Sequence, residues 1–167
     1  MVSSSRGNVG EHLVMAELLY RGFDAYWADR GNPAFDVACR WKGERELSRS
    51  TYLRVKTTSN HSAVWTVKKT GEIFLNLEQE NDFVIIVDLG SGLKERDIYI
   101  VPTHILEKEL QKNHADYVSL PKKDGTPRKQ EQGMRCIRFH GEDRPTDCGW
   151  GYHLKYANYK EAWDKLK

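Results

Sequence analysis

The sequence predicts an α/β or α+β domain spanning residues 1–167, with a mixed central β-sheet flanked by helices. Three observations carry that reading. An amphipathic helical stretch near the start is followed by closely spaced segments of alternating polarity. Phe83-Val-Ile-Ile-Val-Asp-Leu89 is an unbroken apolar run of β-branched character, suited to a central strand covered on both faces. The element order is α-β-β-β, then a β-hairpin and trailing helices, which argues for helices packed on a sheet. At 167 residues, 39% hydrophobic and 30% charged, the chain is long enough to close one core and has a globular composition.

The helix is expected over 9–20. Ser3, Ser4, Ser5 and Asn8 supply N-cap candidates, and Gly22 stands where a left-handed residue would end it. Val9, Leu13, Ala16 and Tyr20 read as the buried stripe, with Val14 and Leu18 as its shoulder and Glu11 at its edge. A first strand follows over 23–28, broken by Asp29-Arg-Gly-Asn-Pro33, where Gly and Pro both punctuate the chain. A second strand runs over about 34–41 and a third over about 49–57, joined by a charged turn at 42–46. Residues 63–67 read equally as a short strand or a crossing loop. The run at 83–89 turns at Gly90-Ser-Gly92, and Asp97-Ile-Tyr-Ile-Val101 pairs back onto it. Pro102 introduces a helix over about 103–112 with Thr103 as its N-cap. Residues 113–133 read as irregular and basic, 134–139 as a last edge strand, and 158–166 as a short helix anchored by Trp163 and Leu166.

Several function classes are poorly served. There is no glycine-rich phosphate loop and no nucleophile elbow. Cys39, Cys136 and Cys148 are odd in number and lack close pairing, which favours a reducing compartment, with the cytoplasm as the expectation. Cys39 is expected in the core. His140, Cys148 and His153 match no standard zinc-finger or knuckle spacing. No apolar run is long enough to span a membrane. The formal net charge is only +2, but bases gather at Lys122, Lys123, Arg128, Lys129, Arg135 and Arg138, while 72–88 holds acids and no base. Such segregation suits a nucleic-acid partner or simply a solvated face. Lys68 and Lys69 form a second basic step beside Trp65, the aromatic best placed to meet a base.

The chemistry concentrates on the second and third strands. Alternation puts Phe35, Val37 and Cys39 on one face and Asp36, Ala38 and Arg40 on the other; Leu53 and Val55 lie opposite Tyr52, Arg54 and Lys56. If the strands pair, Asp36 shares a space with Arg54 and Lys56. Phosphodiester hydrolysis needs carboxylates to hold a hard divalent cation and a base or cation to stabilise developing charge. Glu11, Asp36 and Lys56 are candidates for those roles if the helix turns Glu11 toward the strands.

The segments Gly10-Glu11 through Arg21-Gly-Phe23, then Asn32 with Phe35-Asp-Val37, then Leu53-Arg-Val-Lys-Thr-Thr-Ser59, resemble the PD-(D/E)XK nuclease superfamily. They are most similar to its Holliday-junction-resolvase-like and small restriction-endonuclease-like branch. The resemblance covers about residues 7–60. It implies a restriction-endonuclease-like core, Glu11 and Asp36 as metal ligands, Lys56 as the catalytic lysine, Mg²⁺ or Mn²⁺ as cofactor, double-stranded or branched DNA as substrate, and often a homodimer. A basic surface from Lys68, Lys69, Lys122, Lys123, Arg128 and Lys129 would grip the backbone.

One position departs from the family pattern: Arg54 stands where that family carries Glu, Asp or Gln. Unit charges about 4 Å apart interact by roughly 4 kcal/mol at an effective dielectric of 20, so an anion-to-cation exchange beside a metal is large. Arg54 can turn aside and leave Glu11 and Asp36 to hold the metal. A displaced acid such as Glu17, Glu44 or Glu46 can substitute. Or Arg54 pairs with Asp36 or Glu11 and fills the metal position, giving a DNA- or RNA-binding module without hydrolysis. A protein-interaction module that merely keeps the fold is a third reading.

Overall fold

The computed structural model describes residues 3–29, 31–42, 50–67, 71–75, 80–128, 133–141 and 149–167. Helix α1 (Ser3–Tyr20) leads into β1 (Phe23–Trp27), β2 (Val37–Trp41), β3 (Thr51–Thr58) and β4 (Ser62–Thr66). Strands β5 (Asp82–Asp88) and β6 (Asp97–Pro102) run into α2 (Thr103–Ser119), followed by β7 (Met134–Arg138), the short helix α3 (Tyr152–Lys155) and 3₁₀ turns at Ala157–Tyr159 and Trp163–Leu166.

The main sheet has the order β1-β2-β3-β5-β6. The β1–β2, β2–β3 and β5–β6 pairs are antiparallel and β3–β5 is parallel, so the sheet is mixed as expected. β5 sits between β3 and β6 and is buried along its whole length, the position its apolar run requires. Strands β4 and β7 pair antiparallel in a separate two-stranded sheet. One side of the main sheet, through Val37, Cys39, Leu53, Ile85 and Val87, packs on Val14, Met15 and Leu18 of α1 and on Trp163 and Leu166. The other, through Val84, Ile86, Tyr99 and Val101, packs on Leu106 and Leu110 of α2 and on Ala63 and Ile137 of the small sheet.

Several boundaries differ from the sequence-based expectation. α1 starts at Ser3, so the serines expected as caps lie within the helix. Its buried stripe is Val14, Met15 and Leu18, flanked by half-buried Val9 and Leu13; Ala16 and Tyr20 are exposed. β2 begins at Val37, three residues later than expected. Phe35 therefore leaves the Val37–Cys39 face and packs its ring against Tyr52, 4.8 Å away. Thr103 does not cap α2; Pro102 precedes the helix, and the buried Thr103 hydroxyl donates to Asp82 Oδ1 at 2.7 Å. α2 continues to Ser119, past the expected end at 112, because no breaker precedes Pro121 and Asn113 Nδ2 donates to Tyr152 OH at 2.6 Å. The expected C-terminal helix is two 3₁₀ turns, interrupted where Glu161 takes a φ of 52°.

Candidate active site at the β2–β3 fork

The site is built where two paired strands part. β2 covers β3 only along Thr51–Leu53, through the pairs Val37↔Leu53, Ala38↔Tyr52 and Cys39↔Thr51. Asp36 extends that ladder by one backbone bond, its N–H donating to Leu53 O at 2.9 Å, while its own carbonyl accepts from Ala28 N at 2.9 Å. The chain then turns away. Asn32 Oδ1 accepts from the N–H groups of Ala34 at 2.8 Å and Phe35 at 3.4 Å, a side-chain turn that aims Asp36 back at β3. The next β3 donor on that edge, Val55 N–H, has no β2 carbonyl to reach, and Asp36 Oδ2 accepts it at 2.7 Å. Asp36 thus stands at the fork itself rather than within a regular strand. Burial raises its pKa, opposed by the Val55 hydrogen bond and by the nearby Arg54 charge.

Glu11 reaches the same region from α1. It lies three, four and seven residues before Val14, Met15 and Leu18, and so continues the sheet-facing stripe one turn toward the N-terminus. The preceding Gly10 allows the approach: a Cβ there would stand 1.9 Å from Thr57 Oγ1 on β3. The Glu11 pKa is raised by burial and then by repulsion from Asp36, with His12 opposing. Glu11 is therefore close enough to Asp36 for the Asp36 charge to disfavour its own.

Arg54 turns away from Glu11 and Asp36 to a third acid, Asp82. Its guanidinium is hydrogen-bonded to Asp82 Oδ1, donates to Leu75 O at 2.6 Å and lies 5.7 Å from the Phe74 ring centre. The pair is buried, with side-chain exposures of 13% for Arg54 and 6% for Asp82. Glu17 supplies no displaced ligand, since it pairs with Arg21 and Arg96; Glu44 and Glu46 lie outside the described residues.

Lys56 points from the same face of β3 as Arg54, into a cleft of about 250 Å³ lined by Asp36, Arg54, Lys56, Trp65 and Phe74 among others. Its ammonium lies 5.6 Å from the Trp65 ring centre, and burial lowers its pKa. Among the described residues no carboxylate pairs with Lys56. Glu11 is not part of the cleft lining; it approaches Asp36 from the α1 side.

The expected basic grip is only partly described. Lys68, Lys69 and Lys129 lie outside the described residues. Lys122 and Lys123 are exposed on the turn after α2, and neither they nor Arg128 line the cleft. Arg128 closes that turn, donating to Leu120 O at 3.1 Å and to Tyr117 OH, with its guanidinium 4.0 Å from the Tyr117 ring centre. Cys39 is in the core as expected, its thiol pKa pushed up to about 12 by burial. Sequence reasoning missed Asp82 as the partner of Arg54, and it missed His61 and Asp88. The latter two meet His140 in a second cluster, while Cys148 lies outside the described residues.

A divalent cation fits the Glu11–Asp36 pair on the chemistry of the donors. The Asp36 charge raises the proton affinity of Glu11, so the two offer hard oxygens and a repulsion that a cation relieves.

No family model matches the sequence, and no curated protein matches it. Among solved structures, the chain is similar to the bacterial homing endonuclease I-Ssp6803I, at 14% sequence identity and a TM-score of 0.53, over 99% of this chain and 92% of that one. That likeness shows the fold: a five-stranded mixed sheet flanked by helices, of nuclease-like α/β type.

Proposed function

We propose that the chain is a metal-dependent endonuclease of PD-(D/E)XK type that hydrolyses phosphodiester bonds of double-stranded or branched DNA. The observation that carries this reading is the course of Arg54: its guanidinium is committed to Asp82 and Leu75, which leaves Asp36 in the cleft with Lys56 while Glu11 approaches Asp36 from the α1 side. The binding-module alternative needs Arg54 between those two acids, and its guanidinium lies elsewhere. The homing-endonuclease likeness supports the same reading at the level of fold.

Glu11 and Asp36 would hold Mg²⁺ or Mn²⁺. A cation bound there polarises a phosphate oxygen and lowers the pKa of a bound water. The chain's own residues do the rest. The Val55 N–H fixes one oxygen of Asp36, so the carboxylate is oriented before any substrate arrives. Lys56, half-buried and paired with no carboxylate among the described residues, supplies an ammonium to phosphate oxygens as negative charge develops. Trp65 lies beside that ammonium and forms part of the cleft wall. Arg54 lines the cleft but is held by Asp82 and does not compete for the scissile group.

Cleavage of supercoiled plasmid and of a four-way junction, in Mg²⁺ and in Mn²⁺, tests the proposal. Lys56→Ala should lose about 10²–10³-fold in rate, the loss seen when one transition-state donor is removed. Asp36→Asn should remove metal-dependent cleavage. Absence of cleavage in both metals, or cleavage unchanged in both variants, would overturn the assignment.

A further inference from the structure

Away from the fork, three imidazoles gather at the far end of β3 and β5. His61 lies in the β3–β4 turn, in the left-handed backbone region at a φ of 58°. Its carbonyl accepts the Phe139 N–H at 2.8 Å, which ties this turn to the end of β7 and brings His140 alongside. The His61 and His140 ring centres are 4.4 Å apart, and His140 stacks on His153 at 4.9 Å. Beneath them Asp88, the last residue of β5, is 2% exposed. Its Oδ2 accepts from His61 Nδ1 at 2.7 Å, and its Oδ1 accepts the Gly90 N–H at 3.3 Å.

The hydrogen bonds set the tautomers. A carboxylate only accepts, so the neutral His61 ring carries its proton on Nδ1 toward Asp88 Oδ2, and a cation seated between these two atoms would take that proton's place with both as ligands. His153 Nδ1 is likewise hydrogen-bonded to the Phe139 carbonyl, which leaves its Nε2 unprotonated. A purely structural role for the cluster would need one imidazole, since Asp88 is satisfied by His61 and Gly90. His140 adds no hydrogen bond to it, yet is held face to edge with His61.

We propose that His61, Asp88 and His140 form a second metal site, selective for a borderline divalent transition ion such as Zn²⁺. One ligand atom from each residue lies within 4.8 Å of the others. A metal at about 2.0–2.1 Å from each nitrogen spans at most roughly 4 Å, so a small rotation of the exposed His140 ring closes the site. Imidazole nitrogens suit Zn²⁺, Co²⁺ or Ni²⁺, whereas the all-oxygen pair at the fork suits Mg²⁺ or Mn²⁺. The two sites thus differ in ligand chemistry and are separable by choice of ion. The bound ion would clip the β3–β4 turn, the end of β5 and the end of β7 together, with the fourth position open to water.

The test is titration of the metal-stripped full chain with Co²⁺, followed by visible ligand-field absorption, and with Zn²⁺ against a chromophoric chelator. Wild type, His140→Ala, His61→Gln and Asp36→Asn are compared. One equivalent should bind with a four-coordinate spectrum, unchanged in Asp36→Asn and weakened by more than about tenfold in His140→Ala and His61→Gln. His140 is exposed, so its substitution keeps the fold if His61→Gln does not. No binding in competition with the chelator, binding that survives His140→Ala, or binding lost in Asp36→Asn would each overturn the proposal.

Discussion

Arg54→Gln gives the sharpest test of how the cleft is held together. The substitution removes the cation from Asp82, whose side chain is 6% exposed, and leaves the Thr103 hydroxyl as its remaining side-chain partner. Breaking a buried ion pair from one side costs about 3–5 kcal/mol, because the surviving charge stays out of water. The Thr103 bond puts the expected loss near the lower end. For a domain of 150–250 residues about 2–4 °C is lost per kcal/mol, so the melting temperature should fall by roughly 6–12 °C for a loss of about 3 kcal/mol. Urea denaturation followed by circular dichroism measures the same quantity independently. Adding Asp82→Asn should recover much of the loss, since it removes the stranded charge, and the double-mutant cycle should show coupling of about 1–3 kcal/mol. The same argument forecasts that Arg54→Glu is worse than Arg54→Gln, because it sets a second anion against Asp82. An Arg54→Gln variant within about 0.5 kcal/mol of wild type would refute this account of the pair.

Two further outcomes follow from the fork. Burial raises the pKa of both Asp36 and Glu11, and an acid whose folded pKa exceeds its unfolded value stabilises the fold while protonated and loses that contribution as pH rises through the folded value. Asp36→Asn, which can still accept the Val55 N–H, should therefore melt higher than wild type at pH 7 in the absence of metal. Thermal scans should show the advantage shrinking as the medium approaches the ordinary carboxylate values of 3.8 for Asp36 and 4.5 for Glu11. Gly10→Ala should destabilise by about 1–3 kcal/mol, since its methyl would stand 1.9 Å from Thr57 Oγ1. Thr57→Ala in the same chain should restore most of the loss in chemical denaturation, because it removes the atom that is struck.

The parts of the site that follow from local pattern were legible in the sequence. Alternation across Thr51–Thr58 placed Arg54 and Lys56 on one face, and the Gly and Pro of the preceding loop located the break just before Asp36. The fork itself was not legible, because it depends on where β2 stops pairing, and one more ladder bond would have kept Asp36 inside a regular strand. Asp82 was hidden for a different reason. It lies 28 residues from Arg54 and meets it through the parallel register of β3 and β5, while locally it reads as one more acid in a solvated run. His61 and Asp88, 27 residues apart, are likewise joined by the same strand pair. α2 was read short because Lys112, Asn113, His114 and Asp116 are polar, and the anchor that justifies them, Tyr152, comes from the far end of the chain.

Strand β3 divides its work by parity. Its odd positions, Thr51, Leu53, Val55 and Thr57, serve the α1 side: Leu53 and Val55 in the core and Thr57 against Gly10. Its even positions serve the other: Tyr52 against Phe35, Arg54 and Lys56 in the cleft, and Thr58, whose hydroxyl donates to the Ser62 carbonyl of the next turn. Under the proposed function, packing and chemistry therefore constrain interleaved residues of one short segment. Under that same proposed function, a lineage that abandoned cleavage would erode the even series and preserve the odd one. The unusual arginine belongs to the even series, while each odd position keeps the side chain that α1 and the core require.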